Sequence, residues 1–141
     1  MTALHISHPL IDRRHMLGHD VIDSEHAAIS NCWFYAVNCP PIEFPLRLAR
    51  LKKLMAMHFE HESALLAQSG YALCRYHHNE HRMLLELCDQ VMTSHERDWK
   101  KAQSLLQKKF AKLVREHVIT MDQCAVLLIH SNSEIAAAPN Q

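Results

Sequence analysis

The chain is poor in residues that turn a polypeptide sharply. Two glycines and five prolines stand in 141 residues, too few for the frequent tight turns of hairpins, sandwiches and barrels. A β-rich fold is therefore not expected. Net charge is lacking too. Fifteen basic and 15 acidic side chains cancel, and no basic stripe is present, which argues against a nucleic-acid surface. No apolar run suits a bilayer: the longest, CAVLLI at Cys124–Ile129, falls well short of the about 20 residues a spanning helix needs. The opening MTALHISHPLIDRRH has no apolar core of a secretory leader. The five cysteines form no C-x-x-C pair and are odd in number. They read as reduced thiols, mostly small buried hydrophobes, and the expected location is cytoplasmic.

What the chain does have is helical periodicity and histidine. Its length suits one domain. Punctuation separates four long stretches after an irregular arm at residues 1–19. The first helix is expected from Asp20 to about Val37, stopped by Cys39-Pro40-Pro41. The second is expected from Pro45 to Gln68, closed by Gly70 as a glycine cap. The third runs from about Ala72 to Met92. Thr93 and Glu96 then have the spacing of a capping box, opening a fourth helix that reaches about Ile129. Residues 131–141 form a small, polar tail. Each stretch carries one apolar stripe. The stripes are Ile22, His26, Ile29, Trp33, Val37; then Leu51, Leu54, His58, Glu62, Leu65; then His77, His81, Leu84, Cys88, Val91; then Leu106, Phe110, Leu113, His117, Met121, Cys124, Leu128. Four one-sided helices with short connections imply an all-α, up-down-up-down antiparallel four-helix bundle with a non-helical N-terminal arm, the bundle covering residues 20–130.

The stripes send histidine or carboxylate into the bundle axis from every helix. A buried unpaired carboxylate is very costly, so this core is expected to hold cations. Of the 13 histidines, His26, His58, His77, His81 and His117 lie on the stripes with Glu62, and Asp122 follows His117 by five. Residues four apart share a helix face, so His77 and His81 suit one ion, and His58 and Glu62 suit another. His117 and Asp122, well apart round an α-helix, suit two ions with Asp122 as a bridge. Other histidine pairs look accidental. His15 and His19 sit in the arm beside Gly18, His78 points away from His77, and His61 and Glu80 are expected to be exposed. His5, His8, His95 and His130 are expected in solvent, and Trp33, Phe59 and Phe110 in packing.

The segments GHDVIDSEH (18–26), HFEHE (58–62), GYALCRYHHNEH (70–81) and REHVITMD (115–122) resemble the hemerythrins, especially the single-domain bacterial ones, over nearly the whole folded part. The resemblance implies a pair of iron ions with an oxo or hydroxo bridge. One iron would take His77, His81 and His117, the other His26 and His58, with Glu62 and Asp122 bridging. Ligand softness alone would also permit zinc; the resemblance selects iron. The first iron would have six ligands and the second five, leaving one position for dioxygen. The implied function is reversible dioxygen binding for storage, delivery or sensing. The alternatives are reduction of peroxide or nitric oxide at the same position, and iron buffering; the reductant and any downstream protein are not specified. The ligand set is richer in histidine and poorer in carboxylate than that of ferritin-like di-iron proteins, which argues against an oxygenase.

Several positions depart from the family pattern. Leu113 stands where Trp is common, Val114 where Leu is usual, Val118 where Ile is usual and Ala72 where Pro is usual. An aromatic usual in the arm is absent. With Phe59, the residues Leu113, Val114 and Val118 are expected around the oxygen pocket. Their smaller volume is expected to leave space for water or a larger ligand.

Overall fold

The computed structural model describes residues 8–137, and among them every regular element is a helix. Four helical rods pack together. The first three are α1 (Asp20–Asn38), α2 (Phe44–Gln68) and α3 (Arg75–Arg97). The fourth is continuous but not uniform. It comprises α4 (Trp99–Ser104), a π segment (Leu105–Phe110), α5 (Ala111–His117), a second π segment (Val118–Asp122) and α6 (Gln123–Ala137). Helix therefore continues through residues 131–137, where a tail was expected. Residues 1–7, including His5, and 138–141 lie outside the described residues.

Local chemistry sets most boundaries. Asp23, in the first turn of α1, accepts the backbone N–H groups of Leu17, Gly18 and His19 at 2.8, 3.0 and 3.2 Å. One carboxylate thus gathers three amides at a helix N-terminus, where negative charge is favoured. Gly18 makes the entry at φ 80°, a left-handed conformation that favours glycine. Pro45 stands in the first turn of α2. At its other end Gly70 adopts φ 86°. There Tyr71 N–H donates to the Leu66 carbonyl and Gly70 N–H to that of Ala67, the Schellman pattern.

The junction between the third and fourth rods lies later than expected. Thr93 and Glu96 remain inside α3, and the Thr93 hydroxyl donates back to the Asp89 carbonyl at 3.0 Å. Asp98 makes the break. Its backbone is extended (φ −154°, ψ 92°) and its side chain caps Lys101 N–H at 3.2 Å. Helix α3 also starts three residues later than expected, with Cys74 as its N-cap.

The fourth rod buries a different stripe from the one expected. Leu106 and Phe110 are buried as read. Beyond them the buried set is Val114, His117, Val118, Asp122, Ala125, Val126 and Ile129, while Leu113, Met121 and Leu128 are half-buried and Cys124 is exposed. The π segments are the reason. Each closes its hydrogen bonds over five residues instead of four and so inserts a residue into the helical count, moving the inward face one position along. The Leu106 carbonyl, within the first π segment, accepts the Trp33 indole N–H at 2.9 Å and ties this rod to α1.

The core has two apolar parts. A large cluster gathers Trp33, Leu48, Leu51, Met55, Leu84, Leu106 and Phe110 with Ile29, Phe59, Val114 and Val118. A small one gathers Ile22, Leu66, Ala125, Val126 and Ile129. Between them lies a polar layer: His26 falls between Ile29 and Ile22, Glu62 between Phe59 and Leu66, and Asp122 between Val118 and Ala125. The arm, which includes a 3-10 turn at Arg13–His15, crosses this layer. Leu10 is fully buried in the large cluster. Arg115 donates to the carbonyls of Leu10 and Pro9 at 2.8 and 3.0 Å, and Ile11 N–H donates to Ser30 Oγ at 3.0 Å. No helix among the described residues is long and apolar enough to cross a membrane.

Candidate metal centre

All seven residues singled out in the sequence meet in the polar layer. His26 comes from α1, His58 and Glu62 from α2, His77 and His81 from α3, His117 from α5 and Asp122 from the second π segment. Each is at most 5% exposed. Their donor atoms form two groups that share Asp122. One is His77, His81, His117 and Asp122, and the other is His26, His58 and Asp122; in each, the atoms lie within 4.8 Å of one another.

The two carboxylates divide their oxygens between the groups. Asp122 Oδ1 is 2.9 Å from His117 Nε2 and 3.4 Å from His77 Nε2. Its Oδ2 is 2.9 Å from His26 Nε2 and 3.8 Å from His58 Nε2. Glu62 Oε1 is 2.7 Å from His77 Nε2 and 3.9 Å from His81 Nε2, while Oε2 is 3.4 Å from His58 Nε2. The second π segment makes the Asp122 contact possible. Five residues along an ideal α-helix would set His117 and Asp122 about 140° apart. Closing one π turn over the same five residues brings both inward, so Asp122 reaches His117 on its own helix as well as His26 across the core.

Of these close approaches only that of His26 Nε2 to Asp122 Oδ2 is a hydrogen bond. His77 Nε2, His81 Nε2, His117 Nε2, both Glu62 oxygens and Asp122 Oδ1 are buried without a hydrogen-bond partner. The 2.7 Å between His77 and Glu62 lacks hydrogen-bond alignment: the atoms converge on shared points instead of on each other. Buried polar atoms are almost always partnered, and a carboxylate left so is very costly. Nitrogen and oxygen donors converging in this way fit cations, and the buried histidine and acidic groups can hold metal.

The protonation pattern reflects the same crowding. Burial disfavours a charged ring at His58, but the Asp122 and Glu62 carboxylates outweigh it and hold its pKa up at about 10. His77 is raised to about 9 by the same balance. His117 is raised as well, burial being overcome by Asp122 and Glu80. His81 is pushed down to about 3 by burial and by the neighbouring His117 and His77. At Asp122 burial opposes ionisation, yet the four histidines that crowd it, His117, His26, His58 and His77, hold its pKa well below the usual carboxylate range. Metal ions entering this centre must displace protons.

Two outer carboxylates orient the rings. Glu25 Oε1 lies 3.2 Å from His58 Nδ1 and Glu80 Oε2 lies 3.0 Å from His117 Nδ1. Each accepts the Nδ1 proton and leaves Nε2 free for a metal, a common arrangement behind ligating histidines. Glu80, expected to be exposed, is half-buried for this reason. Glu25 was not identified in the sequence. A local signal existed: Glu25 immediately precedes His26 and Glu80 immediately precedes His81, and in both cases the carboxylate turns to a histidine of a neighbouring rod. The far oxygen of Glu25 bonds His61, itself half exposed.

The remaining histidines have local tasks. His15 Nδ1 accepts Asp12 N–H and His19 caps Ile22 N–H. His130 contacts the Gly18 carbonyl, and His8 and His78 are exposed. His95 is not a free solvent group: it stacks on Phe44 at 4.9 Å and contacts the Pro41 carbonyl. Cys32 and Cys88 are buried, Cys39 is half-buried, and Cys74 and Cys124 are exposed, so burial does not account for all five thiols.

A small cavity of about 20 Å³ adjoins His26, His58, His117 and Asp122. Phe59, Val114 and Val118 line it, with Ile29, Met55 and Leu84. Leu113 does not; it packs at the edge of the large cluster, outside the shifted stripe. The space is about large enough for one small molecule the size of water. Phe59 also stacks on His81 with ring centroids 3.8 Å apart. Compared with protein-family models, curated proteins and solved structures, the chain matches none.

Proposed function

We propose that this protein holds two iron ions with an oxo or hydroxo bridge and binds dioxygen reversibly, as the hemerythrins that its motifs resemble do, within an up-down-up-down antiparallel bundle. The observation that carries the reading is the split of Glu62 and Asp122 between three histidines on one side and two on the other. With a shared oxygen, His77, His81 and His117 complete six ligands at one ion. His26 and His58 complete five at the other, and both line the cavity, whereas of the first three histidines only His117 does. When bound, two ferrous ions supply the electrons that dioxygen binding draws on.

The protein residues do the rest. Glu25 and Glu80 fix the ring tautomers of His58 and His117. Phe59, Val114 and Val118 exclude bulk water from the cavity. Apart from the ligand residues themselves, the cavity lining holds no proton donor or acceptor side chain. Peroxide or nitric oxide reduction needs protons delivered at the reacting atoms, so the lining favours binding over turnover.

Metal analysis of the purified chain tests the centre, with two irons per chain expected. The reduced protein should then gain a visible charge-transfer band under oxygen and lose it under argon. One zinc per chain overturns the di-iron reading. Rapid one-way bleaching with peroxide consumption replaces it with an enzyme.

A further inference from the structure

Two cavities meet at Ile11. One is the small, buried space of about 20 Å³ beside His26, His58, His117 and Asp122. The other, of about 330 Å³, opens to solvent between the arm and α1 and is lined by Asp12, His15, Met16 and Asp23. Ile11 and His26 line both. His26 is held by the metal centre, which leaves the half-buried Ile11 side chain as the movable part of the partition.

We propose that a small uncharged ligand reaches the open ion between the arm and α1, with Ile11 as the gate. The proposal rests on the reading that the open position belongs to the ion held by His26 and His58. The arm around the gate is fixed at both ends. Upstream, Arg115 grips the Leu10 and Pro9 carbonyls and Leu10 is fully buried. Downstream, Asp23 collects the amides of Leu17 to His19. At the gate itself Ser30 Oγ accepts Ile11 N–H and donates to the Ile11 carbonyl at 3.4 Å. The backbone is therefore pinned, and the passage opens by rotation of one aliphatic side chain.

The opposite approach is a groove of about 470 Å³ between α2 and α3, separated from the small cavity by Phe59. Phe59 is clamped where Ile11 is not. Its ring lies 8° from parallel on His81, a residue of the metal centre, and it is 8% exposed. Moving it would unstack that pair and disturb His81, so the arm side is the easier route.

Stopped-flow mixing of the reduced, iron-loaded full chain with oxygen tests the gate. Ile11→Ala should raise the association rate about fivefold and Ile11→Trp should lower it by a similar factor, as expected when an off-rotamer excursion controls entry. Ala56→Trp, which fills the opposite groove, should leave the rate unchanged. A second readout needs no iron. In the metal-free chain, dissolved paramagnetic oxygen should relax the Val114 and Val118 methyl groups faster in Ile11→Ala than in the native sequence. If the iron-loaded chain shows no reversible oxygen band, the functional reading fails, and the metal-free measurement still decides the gate. Ile11 variants within about twofold of native, equal slowing by Ala56→Trp, or unchanged methyl relaxation each overturn it.

Discussion

Removing Glu25 or Glu80 should weaken the two metal positions unequally. Both carboxylates stand behind one histidine, at 3.2 and 3.0 Å, and both side chains are about equally exposed, 22% and 21%. Their exposure therefore does not favour either one, although Glu25 also bonds His61. They differ in what they support. Glu25 orients His58, one of two imidazoles in its group, whereas Glu80 orients His117, one of three. Loss of such an outer carboxylate typically costs about 10–100-fold in metal affinity, or about 1.4–2.8 kcal/mol. Glu25→Ala should fall at the upper end of that range and Glu80→Ala at the lower end. Glutamine at either position still accepts the Nδ1 proton and should restore part of the loss. The assay is titration of the metal-free chain with cobalt(II), whose visible bands report ligand number, in competition with a chelator. Native protein should take two ions per chain. Glu25→Ala should take one at a concentration that fills both native positions. Equal affinities in both variants, or a larger loss in Glu80→Ala, would refute the assignment of these roles.

The metal-free protein should be most stable near neutral pH. His58 and His77 have folded pKa values of about 10 and about 9, above the ordinary 6.5, so their contribution is full below 6.5 and is lost as pH rises through 9 to 10. His81 is pushed down to about 3 from 6.5 and costs stability as pH falls between those values. Asp122, held below the usual 3.8, contributes above that value and loses its contribution in stronger acid; denaturant midpoints followed from strong acid, below the ordinary Asp range, up to alkaline pH check all three signs. Metal loading should stabilise the fold by about 2.7 kcal/mol at a free concentration 100 times Kd, reversed by chelator in the same titration. Val114→Leu adds a methylene to the wall of the cavity and should slow oxygen binding while costing about 1–3 kcal/mol through overpacking; unchanged kinetics would place the ligand elsewhere. Asp98→Ala removes the cap that opens the fourth rod and should cost about 1 kcal/mol in urea denaturation, without changing metal stoichiometry.

The four rods and the seven buried polar residues between them were legible because they rest on local rules. Scarce glycine and proline, one apolar stripe per stretch and the glycine cap at Gly70 need no knowledge of distant contacts. The seven buried histidines and acids stood out because no core holds such residues idly. The apolar stripe of the fourth rod was misread beyond Phe110, apart from His117. A periodic reading assumes a constant twist, and the two π segments break that assumption, so Leu113, Met121 and Cys124 were placed inward while Val114, Asp122 and Ala125 take those positions. Thr93 and Glu96 satisfied the capping pattern by composition, but Asp98 is free to adopt the extended backbone that a cap requires. Glu25 escaped notice and Glu80 was expected to be exposed because a residue about 100° from an inward-facing histidine on its own helix usually faces solvent. Here each faces another rod, which only tertiary packing reveals.

The polar layer divides the hydrophobic interior into two unequal parts joined through seven side chains. Without cations those side chains bring like and unlike charges together with few aligned bonds, so little couples one part to the other. The end built on Ile22, Leu66, Ala125, Val126 and Ile129 is too small to persist alone. In the metal-free chain its amides should exchange with solvent by partial opening, while those around Trp33 and Phe110 wait for global unfolding. Metal would merge the two into one cooperative unit, making the length over which the protein unfolds together a property of its cations as much as of its sequence.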